Sequence, residues 1–305
     1  MKILNSINWK WRLFILCMAV TAIYGFRHVE EPLTVSSEQP IMKYSAPPLP
    51  ANFSFAGEAV PVHDRLIREQ WDREVLYNYF QPQSILYIIK LSRRHFPEIE
   101  AQLKKHGIPD DMKYLCVAES NLQQLVSKAG AAGFWQFMPA TASEFGLEVN
   151  ANVDERYNIE KSTDAACKYL RRAYEQLGSW TAAAASYNCG MGAYSSQATF
   201  QGSRNYYDLF LPEETNRYIF RILTFKYFLE QAAALGFIVD QADGYQTEQY
   251  PKMEINASIP NLATFAKANG SSYKLIKRLN PWIRGKSLPV SPGRKYTLVL
   301  PSINK

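Results

Sequence analysis

A glutamate on an apolar helical stripe is the first feature of this chain that bears on chemistry. Pro109-Asp110-Asp111 reads as a helix start with acidic residues in its first turn. Met112, Leu115 and Cys116 then share one helical face. Glu119 continues that face, at i+4 from Leu115 and i+3 from Cys116. A carboxylate on the apolar side of a helix is costly to bury charged, so its surroundings must pair it or raise its pKa. A raised pKa is what a general acid working near neutral pH needs. The alternative is a helix that frays here and leaves Glu119 in water. Most glycosidases use two carboxylates about 5–9.5 Å apart. The next acids downstream are Glu144, Glu148, Asp154 and Glu155. Glu144 falls in a short helix expected to face water, and Asp154 with Arg156 reads as a structural pair before Tyr157. One acid is therefore well placed and a second is not evident. The four histidines (His28, His63, His95, His106) show no ligand spacing, so neither a metal site nor a cofactor is expected.

The elements that would hold Glu119 are helical. Leu66, Ile67, Trp71 and Leu76 suit one helix, Ile85 to Leu91 a second, and Ile99 to Lys105 a third stopped by Gly107. Ala140 to Phe145 predicts a short helix closed by Gly146. Glu160 to Leu177 predicts a long one, striped by Thr163, Ala166, Cys167, Leu170, Tyr174 and Leu177, with Gly178 as C-cap. Trp180 to Tyr187 is Ala-rich and leads into Asn188. Residues 212–235 are apolar nearly all round, which predicts a buried helix. No strand is expected before residue 237. Residues 253–300 then read as strand, two short helices, strand.

The 305 residues carry a formal charge of +6, distributed unevenly. From Pro251 onward ten Lys/Arg face a single acid, Glu254, while the middle of the chain is acidic. Such asymmetry points to separate partners for separate parts. Residues 1–12 are basic and aromatic, and Leu13 to Phe26 is an uncharged, mostly apolar run. This is the form of a secretory signal, with an uncleaved membrane anchor as the alternative. Residues 27–61 have linker composition, with six prolines between polar residues. Of the four cysteines, Cys17 lies in the amino-terminal run. Cys116, Cys167 and Cys189 are an odd number, compatible with buried free thiols or a Cys116–Cys189 bridge.

Three ordered blocks carry a resemblance: Glu119-Ser120, then Gly133-Phe134-Trp135-Gln136-Phe137-Met138-Pro139, then Ser186-Tyr187-Asn188-Cys189-Gly190. Together they resemble the lytic transglycosylases of the lysozyme-like superfamily, nearest to the membrane-bound murein transglycosylase D branch, over roughly residues 64–235. Phe134, Ala140 and Ser186 depart from the usual pattern without touching the acid. The tail is similar to a divergent LysM module, through Leu262-Ala263-x-x-Ala266, Leu279-Asn280-Pro281, Pro292-Gly293 and Leu300-Pro301. The opening block of that family is replaced by Ile255-Asn256-Ala257-Ser258-Ile259.

The resemblance implies a mainly α fold: a lysozyme-like helical domain of the goose-type or soluble lytic transglycosylase kind over residues 62–240, followed by a small α+β LysM-like module over 251–305. It implies an exported cell-envelope enzyme whose partner is the peptidoglycan glycan strand. Glu119 would protonate the glycosidic oxygen and then, as a carboxylate, take the proton of the muramoyl C6 hydroxyl as a 1,6-anhydro ring closes. Ser120 would lie beside the N-acetyl group or bond the acid. Gln136 and Met138 would line the sugar groove, Tyr187 and Asn188 would face Glu119, and Tyr218 would point at it. A hydrolase of the same fold and a non-catalytic wall-binding protein are the alternatives. The basic tail, with Tyr273, Lys274, Lys277, Arg278, Trp282 and Arg284 interleaved, permits nucleic-acid binding. Export argues against it, and no nucleic acid is expected.

Overall fold

The computed structural model describes residues 45–247 and 249–301. The amino-terminal segment 1–26 and the first part of the 27–61 linker lie outside the described residues. The remainder of that linker is not spacer. Residues 54–59 form a two-residue hairpin, β1 (Ser54–Phe55) and β2 (Glu58–Ala59), turned by Ala56 and Gly57 at positive φ. Phe55, Val60 and Val62 are buried in the main core, and Phe53 packs on Trp71. The helical body therefore begins earlier than proline content suggested, because Phe53 and Phe55 carry apolar surface that must be buried.

Ten α-helices follow among the described residues: α1 (Arg65–Tyr79), α2 (Pro82–Lys105), α3 (Met112–Ser120), α4 (Pro139–Glu144), α5 (Ile159–Leu177), α6 (Trp180–Cys189), α7 (Met191–Gln201), α8 (Glu213–Glu230), α9 (Leu262–Ala268) and α10 (Tyr273–Leu279). The α1 stripe is Ile67, Trp71 and Val75, and Leu66 faces water. The second and third expected helices are one. α2 runs through Pro97, whose ring nitrogen cannot donate to Arg93 O. Thr247 Oγ1 reaches those carbonyls instead, at 3.0 Å from Arg94 O and 3.5 Å from Arg93 O. α5 and its left-handed Gly178 cap match expectation. α8 is buried nearly all round and packs on α1, α3 and α6, so it is the axis of the domain.

β2 also has a role at a distance. Glu58 accepts from Trp180 N (2.6 Å), Thr181 N (2.9 Å), Thr181 Oγ1 (2.6 Å) and Ser179 Oγ (2.9 Å), so it closes the amino-terminal end of α6. A carboxylate there meets both unpaired N–H groups and the positive end of the helix dipole. Glu58→Ala is expected to destabilise the protein by about 1–3 kcal/mol, read from urea denaturation.

The tail forms the predicted strand, two helices, strand. β3 (Lys252–Ile255) pairs antiparallel with β4 (Tyr296–Val299), Ile255 opposite Tyr296. Its core of Leu262, Ile276, Ile283, Leu288 and Leu298 is continuous with Val153 and Tyr157 of the helical domain. Asp154 N donates to Trp282 O (2.8 Å), Arg284 N donates to Asn152 O (2.7 Å), and Arg284 lies over the Tyr157 ring. Cys116, Cys167 and Cys189 are all free thiols. No described helix is long and apolar enough to cross a membrane.

Candidate active site

α3 delivers Glu119 because its other faces are committed to the core. Met112, Leu115, Cys116 and Val117 are fully buried, and the helix stays intact through Ser120. It ends on Asn121 and Leu122, both left-handed (φ 52° and 57°), which turns the chain away immediately after the acid. Two consecutive non-glycine residues in that region are strained, and such strain persists where surrounding structure over-determines it. Glu119 is thus partly buried in the last turn rather than frayed into water.

From α8, the Tyr218 hydroxyl donates to Glu119 Oε1. Burial raises the Glu119 carboxyl to about 7, and it outweighs the lowering by the Tyr218 hydrogen bond and the Arg221 charge; the Glu214 charge adds to the rise. Tyr218 is itself buried and held neutral by burial and by the neighbouring carboxylate. The acid is therefore half protonated near neutral pH, as a group that first gives and then takes a proton requires.

Tyr187, near the end of α6, is close enough that the Glu119 charge, after burial, raises its hydroxyl pKa. That hydroxyl donates to Trp135 O (2.8 Å), and the ring packs on Phe137 and Tyr169. Trp135 is fully buried and its indole donates to Thr163 Oγ1 (2.8 Å). Asn188 does not bond the acid. It accepts from Thr215 Oγ1 (2.8 Å) and reaches Glu214 Oε1 (3.4 Å), tying α6 to the start of α8.

Ser120 corrects the expectation. It is 1% exposed, and its hydroxyl donates to Phe134 O (2.8 Å) and Cys116 O (3.3 Å). At i+4 from Cys116 it lies on the buried side of α3, so it braces the Phe134 segment and makes no hydrogen bond to Glu119 among the described residues. Gln136 is at φ 48°, and its amide donates to Gly133 O (2.8 Å) and Leu125 O (3.1 Å), locking the 125–136 loop. Met138 is 42% exposed beside it, on the surface where a groove residue must be.

Behind that loop stands Arg156, paired with Asp154 (2.7 and 2.9 Å) and donating to Gly130 O (2.8 Å) and Phe137 O (3.0 Å). Gly133 is required here: at φ 80°, a Cβ would lie 1.9 Å from Arg156 O. The other downstream acids are engaged elsewhere. Glu144 pairs with Arg172, Glu155 with Lys161, and Glu148 with Arg294 and Tyr296. Sequence reasoning missed Arg221 and Glu214, whose charges reach Glu119. Arg221 stands three residues beyond Tyr218 on one helix, a spacing that points both the same way.

Residues 96–210, holding the acid, the Trp135 block and Tyr187-Asn188, match the family described as Transglycosylase SLT domain. The chain carries a transglycosylase SLT domain. Residues 251–304 match the Soluble lytic transglycosylase C-terminal LysM-like domain, which fits the strand-helix-helix-strand tail behind the SLT domain. Among curated proteins, the chain is 28% identical over 247 residues to Membrane-bound lytic murein transglycosylase D of Escherichia coli (strain K12), covering 79% of this chain and 52% of that protein. The same protein of Escherichia coli O6:H1 gives the same figures. A putative tributyltin chloride resistance protein of Alteromonas sp. (strain M-1) is 28% identical over 96 residues, 31% of this chain and 46% of that one. The chain spans about half the length of these relatives.

Proposed function

We propose that this protein is a peptidoglycan lytic transglycosylase, cleaving the MurNAc–GlcNAc β-1,4 bond and leaving 1,6-anhydro-MurNAc ends. The observation that carries this reading is one carboxyl held near neutral pKa by burial and touched by Tyr218, inside an SLT domain. Glu119 protonates the bridging oxygen as the C1–O bond breaks. The N-acetyl group of the muramoyl sugar supports the positive charge developing at C1. The Glu119 carboxylate then removes the C6 hydroxyl proton as O6 bonds to C1. The acid is restored and no water is consumed.

Tyr218 holds Oε1 in one orientation and stabilises the carboxylate between the two steps. Tyr187 and Gln136 shape the groove through the Trp135 and Gly133 carbonyls they hold, Met138 contacts sugar, and Asn188 fixes the α6–α8 corner. Removing a hydrogen bond that favours the charged form raises the Glu119 pKa. Tyr218→Phe is thus expected to shift the alkaline limb of the pH–rate profile upward and to lower kcat roughly tenfold. A profile identical to wild type contradicts that role.

The amino-terminal run, as signal or anchor, places the protein in the cell envelope with wall strands as its partner. The LysM-like tail, sharing a core with the SLT domain, holds that domain's 150–157 segment in place. The test of the enzymatic reading is release of soluble muropeptides from purified peptidoglycan by the full chain. Wall binding without release assigns the protein a scaffolding role instead.

A further inference from the structure

A cleft of about 950 Å³ lies away from Glu119, between the SLT domain and the LysM-like module. Its size is that of a small-ligand site. One wall is a polar stripe on α2: His95, Glu98 and Gln102, at i, i+3 and i+7. None is used by the mechanism above. Gln102 is 9% exposed, and its Oε1 is buried with no hydrogen-bond partner. A buried amide carbonyl without a partner is costly, so an unmet donor is implied. The His95 ring packs on Phe134 and makes no hydrogen bond among the described residues.

The walls carry charges of both signs: Glu98, Glu155 and Glu160 stand with Arg94 and Lys161 on the SLT side, and Lys252 and Arg278 line the module side. Glu98 on α2 and Glu160 at the start of α5 face the cleft from the SLT domain, each close enough for the Glu160 charge, after burial, to raise the Glu98 carboxyl. Lys252 of β3 answers Glu160 (3.3 Å). Arg278 of α10 lines the module side, exposed and without an ion pair among the described residues. A neutral glycan filling this space would desolvate Glu98 and Arg278 and pair neither, which is unfavourable. A polyanion would meet Glu98 and Glu160. A dipolar ligand satisfies both walls.

We propose that this cleft is a second binding site, for a short peptide whose free ammonium group lies against Glu98 and Gln102 and whose free carboxylate lies against Arg278. The proposal rests on the wall-lyase reading only for the source of such a peptide, the stems carried by peptidoglycan, which bear both groups. Occupying the cleft bridges α2 to the module and holds a peptide-bearing strand on the enzyme, so the SLT domain favours peptide-substituted glycan over bare glycan.

The probe is soluble alanyl-γ-glutamyl-diaminopimelate, titrated calorimetrically into the full-length protein. Binding is expected, weakened about tenfold by each of Glu98→Gln, Gln102→Leu and Arg278→Gln, as loss of one charge-assisted contact requires. N-acetylating the peptide is expected to mimic Glu98→Gln. Arg278→Gln is on the surface and keeps the fold, and its digestion of peptide-free glycan strands is expected to be unchanged. No binding at millimolar peptide overturns the proposal, as does equal affinity in wild type and Arg278→Gln. Tighter binding of peptide-free glycan than of peptide, with the same sensitivity to these variants, also overturns it. Peptide binding with this variant pattern, in a protein that releases no muropeptides, would sink the lyase reading and leave the cleft assigned.

Discussion

Glu119→Gln is expected to digest purified peptidoglycan about 10²–10⁴ times more slowly than wild type, and to be the more stable protein above neutral pH. On the proposed mechanism, the rate loss follows from removing the group that gives a proton to the leaving oxygen and takes one from the C6 hydroxyl. The amide keeps the shape and can still meet the Tyr218 hydroxyl. The stability gain follows from linkage. Burial raises the Glu119 carboxyl to about 7 in the folded protein, above its unfolded value. The native state therefore binds more protons between those two values, and stability falls as pH rises through that window. Wild type is fully stabilised at acid pH and loses about 1–3 kcal/mol by pH 8, on the order of one to two pKa units after allowance for partial exposure. Glutamine has no such loss. Urea denaturation of both proteins at pH 5 and pH 8 checks this: the difference should be small at pH 5 and favour the variant at pH 8. Equal stability at both would mean the carboxyl is solvated.

Arg156→Ala is expected to cost about 3–5 kcal/mol and most of the activity, although Arg156 makes no hydrogen bond to Glu119 among the described residues. Both members of its ion pair are buried, Arg156 8% and Asp154 6% exposed. Removing the guanidinium leaves the Asp154 carboxylate buried and uncompensated, and frees the Gly130 and Phe137 carbonyls. Those carbonyls bracket the loop that presents Gln136 and Met138. The backbone of Asp154 also meets the module through Trp282, so the damage spreads to the tail. The exposed Arg172–Glu144 pair is the control. Arg172→Ala should change stability by no more than about 1 kcal/mol, since solvent already screens that pair. Thermal denaturation separates the two, and comparable losses would contradict the structural reading of Arg156.

Much of this site was legible from residue type set against period. Glu119 declared itself by standing where an apolar residue belonged, and α5 by an unbroken stripe ending at Gly178. The Asp154–Arg156 pair was visible at i+2 before an aromatic. Ser120 does not bond the acid because adjacency in sequence is not adjacency in space; on a helix, its neighbour at i−1 faces another way. The break read between Leu91 and Ile99 is absent: Pro97 lies inside α2, and Thr247, about 150 residues distant, meets the Arg93 and Arg94 carbonyls. No local pattern could supply that partner. The prolines of the 27–61 segment masked Phe53 and Phe55, whose burial depends on helices much later in the chain. The tail's strand-helix-helix-strand order was readable, whereas its shared core with Val153 and Tyr157 was not, because a surface apolar residue looks the same whether it meets water or a neighbouring module.

The fate of the cleaved sugar separates ring closure from hydrolysis. Peptidoglycan digested by the wild-type protein in ¹⁸O-water, with products resolved by mass spectrometry, is predicted to give muropeptides ending in 1,6-anhydro-MurNAc, each lighter by one water than its hydrolysed counterpart and free of ¹⁸O. Reducing ends carrying ¹⁸O would show that water, not the C6 hydroxyl, attacks C1, and that a single proton-shuttling carboxyl is the wrong description of this site.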